Sequence, residues 1–119
     1  MVKYNDRLLN KIFGVLADKT RRSILNRIVT YGSVLGQKVD PMGITVSEIA
    51  QFYTKKMSLP AISKHLKKME KSGLIERTKT GKTHHFKINM KNLMEIESFL
   101  EHYRQTQQHK LSRLEELMK

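Results

Sequence analysis

The stretch Ser58-Leu-Pro-Ala-Ile-Ser-Lys-His-Leu-Lys-Lys-Met-Glu-Lys-Ser-Gly73 decides how the chain is read. Ser58 is a helix-capping residue and Gly73 a stop signal, so the spacing predicts one helix between them. Leu59, Ile62, Leu66 and Met69 recur at three- and four-residue intervals and are expected on one inner side. Pro60, Ala61, Lys64, Lys67, Lys68 and Lys71 fall opposite. A merely solubilising face usually mixes both signs of charge, whereas this outward set contains no acid. Small residues let a backbone approach a groove, and lysines meet phosphates. The stretch therefore reads as a recognition helix for DNA.

Charge supports that reading. The formal net of +12 over 119 residues is unevenly placed. Residues 1–54 hold 8 basic and 4 acidic side chains, residues 55–87 hold 10 and 2, and residues 88–119 hold 5 of each. A disordered basic tail would be terminal and poor in apolar residues, but this segment interleaves Ile62, Leu66, Leu74, Ile75, Phe86 and Ile88. The patch is expected on folded structure, with a polyanion, nucleic acid foremost, as partner. Absence of cysteine excludes disulfides and thiolate metal sites. A hydrophobic content of 39% supports one modest core over residues 1–119, which a dimer interface would enlarge. No apolar run approaches the ~18 residues of a membrane span. The N-terminus lacks a secretory apolar region, so a cytoplasmic location is expected.

Working outward, Thr45-Val-Ser-Glu48 is a capping box that opens a short helix carrying Val46, Ile49, Ala50 and Tyr53. With the basic helix it forms a helix-turn-helix over residues 45–73. Leu74 to Lys79 and His84 to Asn89 are β-like, joined at Thr80-Gly-Lys-Thr83. A basic hairpin at 74–89 is a wing placed to touch flanking backbone or minor groove. Upstream, Leu8, Leu9, Ile12, Phe13, Val15 and Leu16 form a helical stripe. Asp18 is expected to cap a second helix with Ile24, Leu25, Ile28 and Val29 inward. Residues 33–44 contain Gly36, Asp40-Pro41 and Gly43, and form a loop or a short hairpin using Val34, Leu35 and Val39. Residues 90–119 read as one long helix. Its seam of Leu93, Ile96, Leu100, Tyr103, Gln107, Leu111, Leu114 and Leu117 is near-heptad and too long for so small a domain to cover. Self-association is its natural use.

This order is that of a winged helix-turn-helix, mainly α with a small β-hairpin, and the sequence resembles the ArsR/SmtB family of bacterial and archaeal repressors. The matching pieces are Leu16-Ala-Asp-Lys-Thr-Arg-Arg-Ser-Ile-Leu25, Thr45-Val-Ser-Glu-Ile-Ala50 and the run from Leu59 to Arg77. With the wing and final helix, the likeness spans residues 8–118. There are two departures: residues 33–44 lengthen the family's usual short link, and the turn between Ala50 and Ser58 is longer than its pattern. The resemblance implies a homodimer joined through its first and last helices, with Leu8, Ile12, Leu93, Ile96, Leu100, Tyr103, Leu111, Leu114 and Leu117 at the interface. It implies two recognition helices in successive major grooves of an inverted-repeat operator, and repression by steric competition with polymerase. Ser58, Pro60, Ala61, Ser63, Lys64 and His65 match groove-facing positions, and Lys79, Lys82 and His84 match the wing. Lys67, Lys68 and Lys71 join them on charge.

Several residues carry two readings. His65 could reach a base or phosphate, or pack between helices. Arg21 and Arg22 could touch phosphate or pair with Asp18 or another acid. Some relatives sense metals, yet no register of residues 88–119 supplies the acid–His–His–acid set of their final-helix zinc site. His102 and His109 lie two helical turns apart and could share an ion only across a dimer. His84-His85 reads as a DNA-facing or solvated pair, so no metal and no cofactor is expected. Lys79-Thr-Gly-Lys-Thr83 lacks phosphate-loop spacing, no cysteine nucleophile exists, and Glu95, Glu97 and Glu101 look like a solvated face. An enzyme is therefore not expected. The rival readings are a metal- or ligand-responsive sensor of the same fold, a nonspecific nucleoid or RNA binder, and a protein-binding winged helix.

Overall fold

The computed structural model describes residues 4–31 and 42–118. Its elements are α1 (Asp6–Leu16), α2 (Lys19–Thr30), β1 (Ile44–Thr45), α3 (Val46–Ala50), a 3-10 turn (Gln51–Tyr53), α4 (Leu59–Ser72), β2 (Ile75–Thr80), β3 (Thr83–Ile88) and α5 (Met90–Leu117). The five α-helices each begin on a side-chain cap. Asn5, Asp18, Thr45, Ser58 and Asn89 accept from the N–H groups of Leu8, Arg21, Glu48, Ala61 and Asn92. Each bond satisfies a backbone donor that a helix start leaves orphaned. At Thr45 the predicted box is complete, because Glu48 Oε1 accepts the Thr45 N–H in return at 3.1 Å.

The sheet has the order β1-β3-β2 and is antiparallel throughout. β2 and β3 form the expected hairpin, in register from Ile75 opposite Ile88 to Thr80 opposite Thr83. β1 adds Ile44 opposite Phe86 and Thr45 opposite His85. This third strand was not expected from the sequence, since two residues, the second of them the helix cap, show no alternation. The preceding Gly43 has φ +111°, and a Cβ there would stand 2.3 Å from the Phe86 carbonyl oxygen. Only glycine allows the chain to reach the sheet edge so closely. The loop or hairpin expected within 33–44 lies outside the described residues up to position 41.

The core gathers Leu9 and Ile12 of α1, Ile24 and Ile28 of α2, Ile49, Tyr53, and Ile62, Leu66 and Met69 of α4. Leu74, Ile75, Phe86 and Ile96 close it. Each such side chain contributes about 1.5–3 kcal/mol by leaving water. Two expected core residues are instead exposed. Val29 (47%) lies a quarter-turn past Ile28 and leaves the α2 stripe. Leu59 (51%) sits in the first turn of α4, which projects beyond the core, as the exposed Ser58 and Pro60 also show.

Helix α5 packs only through its first half. Ile96 is buried, and the Phe99 ring meets Tyr4 edge-on at 5.4 Å and Phe13 at 5.9 Å. From His102 to Met118 every residue is exposed. The helix, about 42 Å long at 1.5 Å per residue, extends from a molecule measuring 62 × 35 × 27 Å. No helix among the described residues is long and apolar enough to cross a membrane.

Candidate nucleic-acid interface

Helix α4 is held at both ends. Ser58 Oγ accepts the Ala61 N–H at 3.3 Å, and Gly73 ends the helix in a left-handed turn at φ +88°. Buried Ser72 donates to the Met69 carbonyl at 2.6 Å and accepts the Leu74 N–H at 3.2 Å. The longer turn before α4 is absorbed by the 3-10 segment, where the Tyr53 carbonyl accepts from Lys56 and Met57. The hydroxyls of Ser23 and Tyr53 lie 2.5 Å apart, tying that turn to α2. The extra length therefore leaves the phase of α4 intact, with Ile62, Leu66 and Met69 inward.

Among the predicted contact residues, Ser58, Pro60, Lys64, Lys67, Lys68 and Lys71 are exposed, while Ala61, Ser63 and His65 are half-buried. Lys79 and Lys82 are exposed at the tip of the wing. The two acids of the basic segment are both engaged. Glu70 holds Arg77 at 3.0 Å, joining α4 to β2, and Glu76 holds Lys87 at 3.6 Å across the hairpin. The lysines at 55, 56, 64, 67, 68, 71, 79 and 82 are all exposed, with no carboxylate partner among the described residues. Lys11, Arg21, Lys68 and Lys71 line a shallow cleft of about 410 Å³ that carries the positive surface onto α1.

The two wing histidines part company. His85 is buried, with Nδ1 3.1 Å from the Gly43 carbonyl oxygen. The expectation of a DNA-facing or solvated pair therefore fails for His85, because β1 pairs beside it. His84 points to the other side of the strand, into a notch of about 270 Å³ shared with Ser63, Lys67, Glu70, Arg77 and Phe86. The Arg21 N–H bonded to Asp18 chiefly holds its pKa below the ordinary carboxylate range, with the charges of Arg21 and His65 adding to it.

Arg21 and Arg22 take a role that neither expectation named. Arg21 Nε donates to the Val15 carbonyl and Arg22 Nη1 to the Leu16 carbonyl, each at 2.7 Å. They satisfy the last carbonyls of α1, where a cation also complements the helix dipole. Of the expected interface residues, Ile12 and Ile96 are buried in the chain's own core and cannot serve a partner. Leu8 and Leu93 are half-buried, whereas Leu100, Tyr103, Leu111, Leu114 and Leu117 are exposed along α5. Among the described residues no group of three His, Cys, Asp or Glu could hold a metal ion.

A short capped helix, a turn, an exposed cationic helix and a basic hairpin define a winged helix-turn-helix. A family model described as a helix-turn-helix domain matches residues 16–78, just over half the chain. The crystal structure of an ArsR family transcriptional regulator is 30% identical, with 91% of this chain and 97% of that chain covered at a TM-score of 0.65. An ArsR-like transcriptional regulator from Rhodococcus sp. RHA1 is 22% identical over 92% of this chain and 89% of its own, also at 0.65. A fragment of a possible transcriptional regulatory protein from Mycobacterium bovis is 19% identical over 82% and 91%, at 0.54. These last two share the fold alone. No curated protein matches the chain. The chain belongs to the ArsR family of helix-turn-helix regulators. It is a DNA-binding transcriptional regulator and not an enzyme.

Proposed function

We propose that the protein is a cytoplasmic homodimeric repressor acting at an inverted-repeat operator. The observation that carries this is the outer face of α4, on which Lys64, Lys67, Lys68 and Lys71 are exposed without acidic partners among the described residues. In this reading Ser58, Pro60, Ala61 and Ser63 approach the major groove and the lysines neutralise its phosphates. Lys79 and Lys82 meet the flanking backbone, with His65 and His84 at the margins.

Dimerisation is supported by α5. Leu100, Tyr103, Leu111 and Leu114 are more than half exposed along this helix, and among the described residues no other element covers the segment from His102 onward. Apolar side chains left in water are unfavourable, and a second copy would bury this seam. Two-fold symmetry would set the two α4 helices about 34 Å apart, one turn of the duplex. Repression would follow by blocking polymerase.

The test is to select fragments of the source genome on the full-length protein and measure their affinity against random duplex. A repressor of this kind enriches two-fold-symmetric sites, and its affinity falls steeply with salt. Equal affinity for selected and random duplex would replace operator binding with nonspecific binding. Absence of salt-sensitive binding would favour a protein partner.

A further inference from the structure

Resting on that operator-binding reading, we infer that Leu59 reads the C5-methyl group of a thymine in each half-site. The core does not need this side chain. Ile62, Leu66 and Met69, one to three turns along the same side, are at most 1% exposed and already fill the space beneath α4. Leu59 stands free at 51% exposure, in the first helical position after the Ser58 cap. Helical Cα–Cβ bonds tilt towards the N-terminus, so a first-position side chain reaches past the end of the helix. It is the N-terminal residues of a recognition helix that meet base edges.

The leading turn also offers little polar chemistry. Pro60 and Ala61 carry no side-chain hydrogen-bonding group, and Ser58 Oγ already accepts the Ala61 N–H. The first side-chain cation comes a turn later, at Lys64. A tip built from Leu59, Pro60 and Ala61 can discriminate bases by apolar contact. In the major groove the apolar group on a base edge is the thymine methyl. Leu59 thus supplies a sequence preference that the surrounding lysines, which see only phosphate, do not.

The experiment selects duplexes from a randomised library on the full-length protein, then replaces each thymine of the enriched site in turn by deoxyuridine. That base keeps every hydrogen bond and lacks only the methyl. One thymine per half-site should emerge whose replacement weakens wild-type binding about three- to five-fold, the effect of burying one methyl group. Leu59→Ala should bind the thymine and deoxyuridine duplexes alike, with an unchanged circular dichroism spectrum. Leu59→Met, which keeps an apolar tip, should retain the sensitivity. Uniform tolerance of deoxyuridine by the wild type, or full sensitivity in Leu59→Ala, overturns the assignment. A library yielding no enriched site overturns operator binding itself, and Leu59's role with it.

Discussion

The side-chain amide of Asn92 donates to the Gly73 carbonyl at 2.7 Å, fastening the end of α4 to the start of α5. The glycine is required twice over. Its φ is +88°, and a Cβ would approach Asn92 Nδ2 to 2.8 Å and Leu8 Cδ1 to 3.2 Å. Gly73→Ala should destabilise the fold by about 1–3 kcal/mol through backbone strain and displacement of these neighbours. Asn92→Ala, which leaves one carbonyl without its partner, should cost about 1 kcal/mol. Urea titrations measure both, and an unshifted midpoint for Gly73→Ala would contradict the packing at this joint.

The lysine face makes a prediction in salt. Replacing Lys64 and Lys68 together by Ala should weaken binding to every duplex. The log–log salt slope should flatten by about two, near 0.9 for each lost phosphate contact. Slopes identical to wild type would place both lysines off the duplex.

Oligomeric state tests the exposed seam. Leu100 and Leu114 are 52% and 55% exposed in the single chain, so neither is needed for the fold of one subunit. Leu100→Asp and Leu114→Asp should each leave secondary structure intact while giving monomers with poor operator affinity. Light scattering decides the matter, and persistence of dimers would move the interface elsewhere.

Asp18 makes a prediction in acid. Its folded pKa is lowered, first by the Arg21 N–H bond. A depressed carboxylate contributes stability that is present above its unfolded pKa and is lost as pH falls through the folded one. The relevant window therefore lies below about pH 4. Asp18→Asn keeps a capping oxygen without the charge, so its stability should decline less on acidification than that of the wild type. Parallel acid limbs in thermal melts would show that the ionised form carries no such advantage.

Much of this architecture is legible in the residues because local chemistry and tertiary packing agree. Thr45 with Glu48, Ser58 with Gly73, and the β-like runs on either side of Thr80-Gly-Lys-Thr83 each announce an element that the fold then uses. Leu59 departs because helical periodicity assigns a side of the helix but not how far the core extends beneath it. β1 and the Arg21–Val15 contact were hidden for another reason. Both depend on groups brought together only by the tertiary fold, and neither leaves a periodic trace. His85 shares that cause, since its burial follows from the unannounced strand. In the candidate site, the cationic face was readable from composition and spacing. The Glu70–Arg77 link was not, because no local sequence pattern announces the angle between helix and wing.

The pairing of Thr45 with His85 has a further consequence. One peptide segment is at once the cap of α3 and the edge strand of the wing. The hairpin cannot swing on its own without unmaking the start of the helix-turn-helix. Prong and reading head are thus set before a duplex arrives, so little ordering entropy remains to be lost on contact. Recognition by such a caliper should proceed close to rigid-body docking, with adaptation left to the DNA.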